Sequence, residues 1–322
     1  MQSTVTIALS ELERDFPELT IISSPDIDIA SELITGISSW SRSKKAEIGV
    51  AYSRAQIEKC RSDFVLCEYR MIISDKNMIM CPKNMLVRYI HLLAEYFIAR
   101  GRYRDFNIPP KTHRCAGDYH AGEHLSVGAN THIASNVAIG DDVVIGNNCV
   151  IESGAIINSR TTIGDGVIIR SGAVIGAQAY YHYFDGNCQK FFPGIAGVKI
   201  HDGVLISANT VIERGVLADT VIGRNTVVGH QVCIGHDCYI GENVCIVSQA
   251  GIAGEVVIDD RVTICGQVGV ANNLHIGTAA VIKGKGMVTR NIAAGEVISG
   301  RYSMKNKDEL RIIAMLKRMI RR

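Results

Sequence analysis

The sequence is short of several things, and each shortage excludes something. It has no surplus of either charge: 34 Lys and Arg stand against 32 Asp and Glu in 322 residues. A balance of this kind lacks the bulk positive field that draws nucleic acid. The ten cysteines include no C-x-x-C pair and no His/Cys spacing of a zinc site, so no metal is expected. The thiols read as reduced, in a cytoplasmic protein. No apolar run reaches the roughly 18 residues that a membrane-crossing helix needs. The first nineteen residues are acidic early and carry no long apolar stretch, so they read as having no signal peptide. Aromatic side chains are also few: one Trp, eleven Tyr and seven Phe.

What the sequence has instead is a six-residue rhythm. Every sixth residue from Val127 to Ile175, and again from Ile222 to Val288, is Ile or Val without a miss. Helices repeat every 3.6 residues and strands every two; a six-residue period marks a parallel β-helix. The β-branched residue faces inward, where its stiff side chain packs well on a pleated surface. The residue two positions earlier shares that face, as Cys149, Ala173, Val232 and Cys238 do before their own Ile. Gly followed by Asp or Asn, as in Gly140-Asp141, suits a corner, since these residues tolerate left-handed backbone. Three hexapeptides close one triangular coil, so residues eighteen apart stack and the core is a column of Ile and Val. The expected fold class is therefore mainly β, a hexapeptide solenoid.

Residues 1–104 lack the rhythm and read as a small α/β domain. Short apolar runs lie at 20–22, 64–67, 71–73 and 78–80, and residues 83–100 show helical spacing at Leu86, Tyr89, Ile90, Leu93 and Phe97. Two prolines mark residues 107–111 as a linker. The solenoid is expected over 105–296 and a basic helical extension over 297–322. That extension has Lys305, Lys307, Arg311, Lys317, Arg318, Arg321 and Arg322 against Asp308 and Glu309, with Leu310, Ile313, Leu316 and Ile320 on one stripe. Such a helix either meets an acidic partner or caps and bundles a trimer. Between the two rhythmic runs, residues 177–199 hold Tyr180, Tyr181, Tyr183, Phe184, Phe191 and Phe192. A coil has no room for these rings, so the segment should loop outward, as a binding surface or as packing against the N-terminal domain or a neighbouring subunit.

Chemistry gathers at the corners. His236 follows Ile234-Gly235, and His230 holds the equivalent corner one face earlier. A lone surface His is ordinarily just polar, but one coil beyond His236 stands Gly254, whose N–H could serve as an oxyanion donor beside the imidazole. The following coils are thinned by Gly266, Gly269, Gly284 and Gly286, leaving room for an extended arm. A base near neutral pH, an oxyanion donor and a slot for a thioester arm point to acyl transfer.

The stretches NTVIERGVLADTVIG (209–223), QVCIGHD (231–237), GIAG (251–254) and GKGMVTRNI (284–292) carry a family likeness. With ITGISSW from Ile34 and the loop Pro193, the chain resembles, over nearly its whole length, the UDP-3-O-(3-hydroxyacyl)glucosamine N-acyltransferases of lipid A biosynthesis. The resemblance implies a homotrimer of left-handed parallel β-helices, an N-terminal nucleotide-binding domain and a C-terminal extension that helps dock acyl carrier protein. Handedness comes from the likeness alone, since it runs against the usual crossover rule. The family's catalytic base, the His of I-A-H-N, falls on His236.

Four departures bear on the substrate. The family stretch S-F-L-S-N-P-x-Y, which sandwiches uracil, is matched by residues 49–56, with Val50 and Gln56 where aromatics are expected; Tyr52 or Trp40 is left to take that part. The second family His, in G-H-L-E-I, is matched by Asn273. G-M-G-M becomes Gly284-Lys285-Gly286-Met287, and an ammonium is costly against a buried alkyl chain, so a shorter acyl group is expected. G-F-G-F-A becomes Ala179-Tyr180-Tyr181-His182-Tyr183. The resulting expectation is an N-acyltransferase moving an acyl group from acyl carrier protein or acyl-CoA to the amine of a nucleotide-linked sugar. His236 is the general base and the Gly254 N–H the oxyanion donor. Tyr52, Tyr180, Tyr181, Tyr183, His230 and Asn273 face the acceptor; Gly266, Gly284, Lys285, Met287 and Arg290 face the donor. Glu213 and Arg214 position substrate or tie coils together. No metal or cofactor is expected beyond the donor's phosphopantetheine arm or CoA, and neither nucleic acid nor a membrane span. Competing readings are the lipid A enzyme itself, a hexapeptide O-acetyltransferase, and a non-catalytic trimeric scaffold, which would need neither His236 nor Gly254.

Overall fold

The computed structural model describes residues 6–23, 32–39, 42–68, 71, 76–100, 114–116, 119–192, 194–300 and 306–320. The expected linker at 107–111, Trp40, Pro193, Lys305, Arg321 and Arg322 lie outside them. The chain opens with β1 (Ile7–Ala8) and α1 (Leu9–Asp15), then builds a five-stranded sheet from β2 (Thr20–Ile22), β4 (Gly36–Ser39), β5 (Glu47–Val50), β6 (Phe64–Glu68) and β7 (Asn77–Cys81). The two-residue β3 (Leu33–Ile34) pairs with β1 instead. In order β2-β7-β6-β5-β4, the sheet is parallel except at β2. Between β5 and β6 lies α2 (Arg54–Lys59); after β7 comes α3 (Leu86–Ala99), which packs on the sheet. The apolar stripe Leu86, Tyr89, Ile90, Leu93 and Phe97 is buried on α3, as helical spacing requires.

From Tyr119 onward the chain winds a triangular prism of two- to four-residue strands in three parallel sheets. Called first, second and third in the order the chain meets them, the faces begin with Tyr119–Ala121, Ser126–Val127 and His132–Ile133. Residues eighteen apart pair along each face, as Ile133, Ile151 and Ile169 do. The β-branched column is the core, and Cys149, Ala173, Val232 and Cys238 share it. At roughly 25 cal/mol per Å² of apolar surface, each buried Ile contributes a few kcal/mol to a core that grows one coil at a time. Left-handed backbone at the corners falls on residues that tolerate it, such as Asn130, Asp142 and Asn243.

The gap in the rhythm is not a gap in the solenoid. A full coil continues through it, with Ile200, Ile206 and Ile212 stacked on Ile163, Ile169 and Ile175. Register slips twice. A long excursion after Val174–Ala177 carries the antiparallel hairpin His182–Phe184/Gln189–Phe191, and four extra residues fall between Val211–Glu213 and Thr220–Ile222. That second slip shows as Ile200 pairing with Ile222, twenty-two residues on rather than eighteen. Both insertions enter the N-terminal core: Ala179, Phe192, Ile195, Val216 and Leu217 are buried in one cluster with Leu93 and Phe97. The buried Ser38 Oγ donates to the Leu217 carbonyl at 3.4 Å, and Arg42 donates to that of Asp219. The chain ends in α4 (Asn306–Ile320), on which Leu310, Ile313 and Leu316 are exposed. No helix among the described residues is long and apolar enough to cross a membrane. The nine described cysteine side chains are all free thiols; Cys149 and Cys238 point inward, while Cys233 and Cys245 point out.

Candidate active site

The edge between the first and second faces stacks two columns. His236, Gly254 and Asn272 lie one coil apart in one column, and Asp237, Glu255 and Asn273 in the other, as the strand register requires. The His236 side chain is nearly buried, 10% exposed. Its Nδ1 lies 2.9 Å from Asp237 Oδ2, its backbone N–H donates to Glu213 Oε2 at 3.1 Å, and the Tyr181 ring stands edge-on with centroids 5.1 Å apart. With Nδ1 on Asp237, the other ring nitrogen faces Gly254: a Cβ added there would collide first with Nε2. Gly235 is just as constrained, because a Cβ on it would sit 2.6 Å from the Gly254 nitrogen and cover it. The Gly254 N–H finds no acceptor among the described residues.

Asp237 is fixed by the four-residue insertion. The N–H groups of Val216, Leu217 and Ala218 donate to its carboxylate at 2.7, 3.0 and 2.7 Å. Burial, the largest influence on His236, would lower its pKa; the Asp237 hydrogen bond and the charges of Asp237, Glu255 and Glu213 outweigh burial and leave it raised. Glu255 is pushed up to about 7, first by burial and then by Asp237, with His236 opposing.

Two cavities meet here. A cleft of about 540 Å³ opens beside His236 and Gly254, lined also by Tyr180, Tyr181 and Cys233. A smaller cavity of about 110 Å³ lies toward the N-terminal sheet, among Ser39, Arg42, Tyr52 and Asn273. Glu255 lines both. The Tyr52 and Tyr181 hydroxyls stand 3.3 Å apart. Tyr52 is held by Gln56, whose Oε1 accepts the Tyr52 N–H at 2.6 Å, and Val50 is buried in the sheet. These residues therefore build the wall under Tyr52 rather than stacking on a base themselves.

The first face is bare beside this cleft. Its outward strand positions run Cys233, Gly251, Gly269, Met287, and a Cβ on Gly251 or Gly269 would meet nothing within 4 Å. The outward positions of the other faces carry Tyr239, Val257 and His275, or Val227, Cys245 and Thr263.

The structure gathers His236, Gly254, Tyr52, Tyr180, Tyr181 and Asn273, but not every expected residue. His230 is exposed on the other edge of the first face, stacked over Ser248, Gly266 and Gly284, because one hexapeptide turns the chain through one corner. Tyr183 packs on His91 of α3, with ring centroids 5.6 Å apart, rather than into the cleft. Lys285 is an exposed corner residue in line with Gln231, Gln249 and Gln267, so its charge is not set against a buried chain. Met287 is 77% exposed on the first face. Arg290, on the edge of His236, pairs with Glu296 at 2.6 Å. Arg214 is buried and ties coils, donating to the Ser159 and Gly176 carbonyls; burial and nearby Arg160 push it down to about 10. Missed by the sequence reading were Asp237 and Glu255, which counting eighteen residues from one corner to the next would have paired.

The family model of the bacterial transferase hexapeptide (six repeats) matches residues 122–152, 142–177 and 219–254. A UDP-3-O-acylglucosamine N-acyltransferase of Leptospira biflexa is 34% identical over 74 residues, 23% of this chain and 21% of that protein. The matched stretch thus spans about a fifth of that curated relative. The crystal structure of a UDP-N-acetylglucosamine acyltransferase from Bacteroides fragilis aligns with TM-score 0.52 and 28% identity, covering 62% of this chain and 77% of that one. The Campylobacter jejuni UDP-N-acetylglucosamine acyltransferase gives 0.53 and 23%, covering 65% and 85%, which speaks for the fold. The solenoid is a left-handed parallel β-helix, and the hexapeptide model matches part of it.

Proposed function

We propose that this hexapeptide-repeat chain is an N-acyltransferase that moves an acyl group from a thioester donor, acyl carrier protein or CoA, to the amine of a nucleotide-linked sugar. The observation that carries the reading is the union of the His236–Asp237 pair with the uncovered Gly254 N–H beside a bare solenoid face. The acceptor nitrogen attacks the thioester carbonyl while His236 Nε2 takes a proton from it. The Gly254 N–H donates to the oxyanion as the tetrahedral intermediate forms. The C–S bond breaks, and the imidazolium hands its proton to the leaving sulfur. Asp237 keeps the imidazole in the tautomer that leaves Nε2 free and steadies the imidazolium. The strip over Gly251 and Gly269 suits a thin donor arm, and Tyr52, Tyr181 and Asn273 suit the acceptor side. The names of the similar proteins, which act on UDP-linked glucosamine derivatives, support the nucleotide sugar. A homotrimer in the cytoplasm fits that company, and the exposed Leu310, Ile313 and Leu316 on α4 suit assembly.

The test is thiol release by the purified protein across a matrix of short and long acyl-CoA and acyl carrier protein against UDP-, GDP- and dTDP-linked amino sugars. Turnover with an amino sugar is the expected result. Turnover confined to the long-chain carrier protein with the UDP-linked lipid A precursor would identify the lipid A enzyme itself. Transfer to hydroxyl acceptors alone would overturn N-acylation, and silence across the matrix favours a scaffold.

A further inference from the structure

The proposed reaction has one proton more than His236 can handle. A sugar amine near neutral pH is largely an ammonium, so RNH₃⁺ and R′C(O)SR″ give RNHC(O)R′, R″SH and one free proton. His236 carries a proton from the attacking nitrogen to the leaving sulfur and ends unchanged. The ammonium's extra proton must leave before attack, because it occupies the lone pair that forms the new bond. An alcohol acceptor has no such surplus.

We propose that the Glu255 carboxylate is the acceptor-amine site: it pairs with the incoming ammonium, takes its extra proton, and so selects amine over hydroxyl acceptors. The inference rests on the acyl-transfer reading and names the group that makes it N-transfer. Glu255 lines both the His236 cleft and the cavity under Tyr52 and Arg42. Its own backbone N–H is spent on the His236 carbonyl at 2.8 Å, and its carboxylate accepts no hydrogen bond among the described residues. The neighbouring carboxylates are committed, Asp237 to three N–H groups and His236, and Glu213 to the His236 N–H. The groups facing Glu255 are Asp237 and His236 on its own edge, Tyr181 beside the hairpin, and Tyr52 and Arg42 from the N-terminal part, while Glu213, two coils back, shares only the cleft wall. A half-buried, unengaged carboxylate beside a committed one calls for a cation, and a carboxyl held near 7 can take a proton and give it back at working pH.

Calorimetric binding of UDP-glucosamine and UDP-glucose, which differ only in the amine at one carbon, tests this in wild type, Glu255→Gln and His236→Ala. Wild type and His236→Ala should hold the amino sugar about tenfold more tightly, and Glu255→Gln should bring the two within about twofold. The substituted chain should fold, because Gln231, Gln249 and Gln267 already occupy the same left-handed corner conformation. A preference that survives Glu255→Gln, equal binding of both sugars by wild type, or binding of neither overturns the inference. The readout needs no acyl transfer, so it stands or falls separately from the thiol-release matrix.

Discussion

Two histidines six residues apart occupy the same place in the repeat and have opposite surroundings. His230 stands in Val228-Gly229-His230-Gln231 and His236 in Ile234-Gly235-His236-Asp237. The backbone is the same at both corners, with φ 56° at Gln231 and at Asp237. The columns that follow differ. Along the His230 edge, Gln249 donates to Gln231 at 3.0 Å and Gln267 to Gln249 at 2.7 Å. An amide both donates and accepts, so that row satisfies itself. Along the His236 edge the row is Asp237, Glu255, Asn273, in which two adjacent carboxylates cannot satisfy one another. Asp237 draws on Val216, Leu217 and Ala218 and on His236; Glu255 draws on none of them. The repeat provides equivalent corners, and chemistry collects where a column cannot close on itself.

The strongest test of this contrast is the pair of single substitutions. His236→Ala should lower kcat/KM by about 10³-fold, the middle of the range for loss of a general base. His230→Ala should leave it within about twofold, because its ring is exposed and its N–H is served by Ser248 Oγ at 3.1 Å. Thiol release under identical conditions measures both. Comparable losses would break the comparison and bring the second edge into the reaction.

Asp237→Asn sharpens the contrast with a smaller effect. A general base acts only when neutral, so the acid limb of the rate profile falls at the His236 pKa. Burial lowers that value, but the Asp237 hydrogen bond and the surrounding carboxylates hold it above the ordinary imidazole value. With Asn, burial gains the upper hand and the limb should move to lower pH. The plateau should also drop, since an amide NH₂ facing Nδ1 favours the wrong tautomer. Stability follows the same sign. A raised folded-state pKa adds stability that is fully present below the unfolded value and is lost as pH rises through the folded one. The variant should therefore lose stability at every pH, because the Val216 N–H then faces an amide NH₂, and should lose more on the acid side. An acid limb that stays in place would mean that a group other than His236 titrates there.

The core was legible because β-branched residues every sixth position have one packing solution. All twenty-one are inward positions, though Val127, in the first coil, remains 39% exposed for want of a neighbour above it. The coil carrying Ile200, Ile206 and Ile212 escaped the count because two insertions slip its phase. Those insertions are also what builds the site. Val216 to Ala218 cage Asp237, and the hairpin brings Tyr181 over His236, contacts between segments far apart in sequence. His230 looked equivalent to His236 because periodicity counts corners and does not say which edge a corner is on. Gln56 read as a lost aromatic, yet it fixes the Tyr52 backbone; a hydrogen bond four residues away leaves no periodic trace. Asp and Glu at corners are ordinary turn residues, so Asp237 and Glu255 stand out only once the N-terminal sheet and the insertion close around them.

The smallest effect belongs to the glutamine row. Gln249→Ala removes both amide bonds at once, but the side chains are exposed and water replaces what is lost. The expected cost is under about 1 kcal/mol, a fall of about 1–3 °C in the melting midpoint for a domain of this size, with turnover unchanged. Gly266 and Gly284 border the same edge, which makes the activity half of this measurement the informative one. If the edge is only structural, stability and turnover separate. A variant that melts like wild type yet turns over several-fold more slowly, with the loss in KM for the thioester, would mean that the donor arm crosses the bare first face from Gly254 to the glutamine row. The two histidine edges would then be the two banks of one substrate channel rather than a working edge and an inert one.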